Sequence, residues 1–167
     1  MGSAGEIAMT QQTGQMIQVP NTLKLKVGGR FGAIDPLAIA KAEAALKSLS
    51  SNFTEWLNDE LVKLESARAL VKAEGWTIET AEGLYMRAHD LKGLGATYEF
   101  PLITRIAGNL CKMIDDPATR LDAPLYLIDA HIDAIKACVR EGIKTDENAV
   151  GKMMAEELEG KVREFLG

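Results

Sequence analysis

The chain has 167 residues, enough for one ordinary domain with a sizeable core. Its composition is 47% hydrophobic and 26% charged, and its net charge of −5 argues against a protein that tracks nucleic-acid phosphates. No stretch approaches the roughly 20 apolar residues of a membrane span, and Met1 to Gly5 lack the positive run and apolar core of a secretory signal, so a cytoplasmic protein is expected.

Residues 1–34 are broken by Gly14, Pro20, Gly28, Gly29 and Gly32 and read as a flexible arm, with Val19 to Val27 able to rest on the body. The helical domain is expected over residues 35–167. Abundant Ala and Leu with few β-branched runs favour an all-α fold. Asp35-Pro36 is an N-cap followed by proline at the first helical position, which predicts a helix to Leu49. Asn52 and Glu55 resemble a capping box, and Phe53, Leu57, Leu61, Leu64 and Val71 follow at helical spacing to a stop at Gly75. Thr77 caps a third helix running to Tyr98. Pro101 opens a fourth, with Leu102, Ile106, Leu110 and Met113 on one face and Pro117 beyond its end. A fifth is expected over Leu121 to Glu141, with Leu121, Leu125, Ile128, Ile132, Ile135 and Val139 as its stripe and Gly142 as terminator. Thr145 is expected to cap the last. Amphipathic helices joined by short connections bury their stripes as an antiparallel bundle.

The third helix carries the histidine of interest. At about 100° per residue, Ala81, Leu84, Ala88, Leu91 and Gly95 fall on the face opposite His89 and form the stripe that faces the interior. Glu82, Tyr85, Met86, Lys92, Gly93 and Ala96 fall around His89, which therefore points to solvent or to a partner. Lys92 offers an ammonium one turn on. Gly93 and Ala96 leave a cleared strip, although glycine in a helix costs roughly 1 kcal/mol relative to alanine. Tyr85 and Met86 offer adaptable apolar contact. Between Tyr85 and Lys112, four cations (Arg87, Lys92, Arg105, Lys112) face two anions (Asp90, Glu99), a local balance of +2 in an acidic chain.

Ala88-His89-Asp90-Leu91-Lys92-Gly93 resembles the AHxLKG signature of histidine-phosphotransfer (HPt) domains. Leu94 to Pro101 resembles the small-residue segment and FGFP-like turn of stand-alone alphaproteobacterial members, and Ile106, Leu110 and Ile114 match the helix that follows. The specific resemblance covers Tyr85 to Ile114. Leu94 stands where the family often has serine or alanine, and Glu99 where it usually has glycine. The resemblance implies a four-helix HPt-like core with additional helices. It implies that the imidazole nitrogen farther from the backbone accepts a phosphoryl group and exchanges it with the aspartate of a response-regulator receiver domain, in a relay that can include a hybrid sensor kinase. It also implies no cofactor on this chain, with Mg2+ held by the receiver partner, and a monomeric phosphocarrier. Lys92 would stabilise phosphoryl charge, and Glu82, Tyr85, Met86, Gly93 and Ala96 would dock the partner.

The chain shows no Gly-rich phosphate loop, HExxH or CxxC, so autokinase activity is not expected. Two rival readings remain open. A metal-binding bundle would draw on His89, His131, Cys111 and Cys138, which lack paired ligand spacing. A non-phosphorylated interaction adaptor would use the same exposed face without chemistry. His131 is expected to flank the fifth helix's stripe, partly buried. Cys111 and Cys138 are expected as buried free thiols. Trp56 reads as core or interface and Trp76 as a loop anchor.

Overall fold

The computed structural model describes residues 35–167; the arm expected over residues 1–34 lies outside the described residues. Among the described residues every regular element is helical: α1 (Pro36–Glu74), α2 (Ile78–Leu94), α3 (Pro101–Ile114), α4 (Leu125–Glu141) and α5 (Ala149–Leu166), with a 3-10 turn at Arg120–Asp122. No helix among them is long and apolar enough to cross a membrane.

Where a cap acts within its own helix end, the expected boundaries hold. Asp35 Oδ1 accepts the Leu37 N–H at 3.0 Å. Gly75 ends α1 in the left-handed region at φ 89°, a conformation glycine adopts without a Cβ clash. Thr77 and Thr80 cap α2 reciprocally, each side chain accepting the other's backbone N–H at 3.2 and 2.9 Å. Gly142 ends α4 at φ 65°.

Four boundaries differ from expectation. The two helices expected on either side of Ser50-Ser51 are one continuous helix, α1. No glycine or proline breaks the segment. Ser51 Oγ donates to Ser48 O at 2.7 Å, so the hydroxyl is satisfied within the helix instead of competing with it. Helix α2 stops at Leu94, short of Tyr98, because Thr104 Oγ1 accepts the Ala96 N–H at 2.8 Å and diverts it from the helical ladder. Helix α4 starts at Leu125, not Leu121, since Pro124 holds the preceding Ala123 extended at ψ 131°. Leu121 and Leu125 are exposed, and the buried stripe is Leu127, Ile128, His131, Ile132, Ala134, Ile135 and Cys138. The cap of α5 is Asn148, not Thr145: its Oδ1 accepts from Val150 N at 3.0 Å and Gly151 N at 3.1 Å.

Helices α2, α3 and α4 pack antiparallel in turn, as their contacts show. Ala96 beyond the end of α2 meets Thr104 near the start of α3, while Tyr85 of α2 reaches Asp115 after α3. Leu102 N–H donates to Lys144 O at 3.0 Å, joining the start of α3 to the end of α4. Arg68 of α1 bridges Asp129 and Asp133 of α4, each at 2.6 Å. The core contains Leu57 and Leu64 of α1, Leu84 and Leu91 of α2, Ile103, Ile106 and Leu110 of α3, and Ile132 and Ile135 of α4. Each such side chain contributes about 1.5–3 kcal/mol on burial. Ala155, Leu158 and Val162 of α5 add to the same core.

His131 is fully buried, where partial burial was expected. The buried stripe includes Leu127, Ala134 and Cys138 and so is rotated towards His131 relative to the expected one, and the two ring nitrogens of His131 are satisfied there. Asn109 Nδ2 lies 2.9 Å from Nε2 and Leu127 O lies 2.7 Å from Nδ1. Donation from the Asn109 amide and to the Leu127 carbonyl defines a neutral Nδ1–H tautomer. Burial holds its pKa below the ordinary histidine value. Cys111 and Cys138 are free and buried, and burial pushes both thiols up to about 11.

Candidate functional site

The phase of α2 follows from which residues find cover. Ala81, Leu84, Ala88, Leu91 and Gly95 are buried, while Glu82, Met86, His89, Lys92, Gly93 and Ala96 are exposed and Tyr85 is half-buried. The imidazole of His89 therefore stands on the outer face. Its neighbour is Tyr85, with ring centroids 6.0 Å apart and planes tilted by 41°.

Close approach of α2 to α3 sets what surrounds the imidazole. Gly95 has no room for a Cβ, which would lie 2.7 Å from Thr104 Oγ1 and 2.8 Å from Thr104 N. At Gly108 on α3 the missing side chain leaves a lane for Lys92, whose Cγ, Cδ and Cε lie 3.7–3.9 Å from where a Cβ would stand. The pairs Ala96–Thr104, Lys92–Gly108 and Tyr85–Asp115 follow one antiparallel register. That register sets His89 level with Cys111. The Lys92 ammonium opposes the upward push of burial on the Cys111 thiol.

At the other end of the face, the turn after α3 reaches back. Asp115 Oδ1 accepts the Tyr85 hydroxyl at 2.6 Å, a bond that, with burial, raises the phenol pKa. Arg120, only 5% exposed, sets its guanidinium 4.8 Å from the Tyr85 ring centroid. It also pairs with Glu82, donates from Nε to Ile114 O at 2.6 Å and from Nη2 to Asp115 O at 3.1 Å.

The structure therefore sorts the expected site residues. Tyr85, His89 and Lys92 share the α2–α3 side with Gly108. Glu82 is committed to Arg120. Met86 lies towards α1, lining a groove with Val62, Ser66 and Gly83. A Cβ at Gly93 would meet nothing within 4 Å, in keeping with an open strip. Gly108, Asp115 and Arg120 are not distinguished by spacing along the chain. The available signal was a lone arginine just beyond a helix end, where a cation suits the last carbonyls.

Trp76 does anchor a loop, donating from Nε1 to Arg120 O at 3.2 Å. Trp56 is exposed and clusters with half-buried Phe53 and Tyr98, with centroids 5.7–5.9 Å apart. Among the described residues no three His, Cys, Asp or Glu side chains gather so as to hold a metal ion. No family model, curated protein or solved structure matches the chain.

Proposed function

We propose that this chain is a histidine-containing phosphotransfer protein built on an HPt-like four-helix core, relaying a phosphoryl group between His89 and a response-regulator aspartate. The observation that carries the reading is the AHxLKG-like segment Ala88–Gly93 lying on α2 with His89 exposed and its apolar members buried. An exposed imidazole is a competent nucleophile near neutral pH.

In the forward step the Nε2 lone pair attacks phosphorus. The P–N bond forms as the P–O bond of the partner's aspartyl phosphate breaks, and the electron pair leaves with the carboxylate. The reverse step returns the group. Phosphoryl transfer needs in-line placement and positive charge more than acid–base machinery. Lys92, carried over Gly108, supplies charge from this chain. The receiver partner contributes its own Mg2+ and lysine, so this chain is a phosphocarrier without autonomous kinase activity. Docking uses the exposed strip of Gly93 and Ala96 and the flank of Tyr85 and Met86, and the carrier works as a cytoplasmic monomer.

The test is transfer of label from phosphorylated receiver domains and hybrid kinases to the wild-type protein and to His89→Gln. Label that enters the wild type alone, lost in acid and stable in base, supports the reading. Full labelling of His89→Gln overturns it. Partner binding by an unlabelled wild-type protein would point instead to an adaptor.

A further inference from the structure

Arg120 lies outside the helix that carries His89, yet two sets of its contacts converge on that site. The first set is a helix cap. The last carbonyls of a helix lack intrahelical donors and carry partial negative charge. The fork of Arg120 meets two of them, Ile114 O at 2.6 Å and Asp115 O at 3.1 Å, and the Glu82 carboxylate completes the neutralisation of a buried cation.

The cap alone would be architecture. The second set goes beyond it. The guanidinium covers the face of the Tyr85 ring at 4.8 Å, and the Tyr85 hydroxyl is held by Asp115 from the same turn at 2.6 Å. Tyr85 is thus fixed both at its ring face and at its hydroxyl, and its ring stands 6.0 Å from the His89 imidazole. A half-buried aromatic held at two points is a rigid wall. An exposed imidazole beside it loses the rotamers that would swing into the ring.

We propose that Arg120 is a positioning residue of the His89 site: acting through Tyr85, it restricts the imidazole to orientations that present Nε2 to the partner. The role rests on the phosphotransfer reading above. It adds the turn after α3, through Arg120 and Asp115, to a site otherwise made of α2 residues and Gly108 of α3. Misplacement of a reacting group by a fraction of its own size is enough to slow a transfer substantially.

The test is a double-mutant cycle of Arg120→Met and Tyr85→Leu, read as single-turnover transfer from a phosphorylated receiver domain over a range of receiver concentration. Each single variant is expected to slow transfer at saturation about tenfold, and in Arg120→Met, which leaves the docking residues in place, half-saturation should move less than twofold. The double variant should be no slower than the slower single one, because the two residues act in series. Arg120→Lys should not rescue, since an ammonium can neither stack flat nor fork across two carbonyls. Tyr85→Leu leaves the Arg120 cap in place and keeps the cycle informative if Arg120→Met unfolds. NMR relaxation of the His89 ring carbons, measured without any phosphodonor, should report greater mobility in Tyr85→Leu than in the wild type. Additive effects in the cycle, or wild-type ring mobility in Tyr85→Leu, would overturn the positioning role. A wild-type protein that takes no label overturns the phosphotransfer reading itself. Labelling of the wild type with equally fast transfer by Tyr85→Leu overturns only the role of Arg120.

Discussion

Gly95 and Thr104 are in direct contact across α2 and α3: a Cβ on Gly95 would stand 2.8 Å from the Thr104 backbone nitrogen, an atom that cannot rotate away. Two residues earlier, a Cβ on Gly93 would meet nothing within 4 Å. Gly95→Ala is therefore expected to destabilise the protein by about 1–3 kcal/mol, as over-packing does. Gly93→Ala should stabilise α2 by up to about 1 kcal/mol. Gly93→Leu should keep a native melting curve while reducing transfer and receiver binding. Melting curves with transfer rates on the three variants check this, and normal transfer by Gly93→Leu would remove the open strip from the docking surface.

Lys92 and Gly108 should fail together. Lys92→Ala is expected to slow phosphotransfer at saturating partner without loss of fold, since the side chain is exposed. Exposed charges contribute about 0.2–1 kcal/mol in ground states, and transition-state charge can raise that. Gly108→Leu fills the lane under the Lys92 stem and should reproduce the slowing with Lys92 still present. Rates measured on both variants decide, and wild-type transfer by Gly108→Leu would show that the lane does not matter.

His131 predicts acid sensitivity. Its folded pKa lies below the ordinary histidine value of 6.5 because burial penalises the cation. Below that value the unfolded chain takes up a proton that the folded one resists, so stability is complete above pH of about 6.5 and falls on acidification towards the folded pKa. Chemical denaturation across pH 5–8 should show this slope, and His131→Gln should flatten it. An unchanged slope in the variant would assign the sensitivity to other groups.

Glu99 sits at φ 66°, in the left-handed region that glycine enters freely, and its carboxylate accepts from Ser50 Oγ at 3.1 Å and Lys144 Nζ at 3.2 Å. Lys144, then Ser50, holds its pKa below the usual glutamate value. A non-glycine residue there carries left-handed strain, which the two contacts oppose. Glu99→Gly loses contacts and strain together and should melt close to wild type. Glu99→Ala loses the contacts and keeps the strain, so it should melt lowest of the three.

The helical period alone determined the all-α class and the phase of α2. Ala81, Leu84, Ala88 and Leu91 can be buried on one stripe only if His89 faces out, and that relation is local to the chain. Gly75, Thr77 and Gly142 were legible for the same reason, since a cap acts within one turn of its helix. The boundaries that were missed depend on tertiary contact or on small local margins. The Ser50-Ser51 segment carries both cap signals and helix-compatible residues, and continuity won because the Ser51 hydroxyl found a carbonyl in its own helix while Ser50 found the Glu99 carboxylate. The end of α2 is decided by a hydroxyl from α3. Only tertiary packing could show that Gly108 seats Lys92, that Arg120 reaches Tyr85, or that His131 turns fully inward. Those contacts join side chains dozens of residues apart or on different helices, where periodicity along one helix carries no information about which atoms meet.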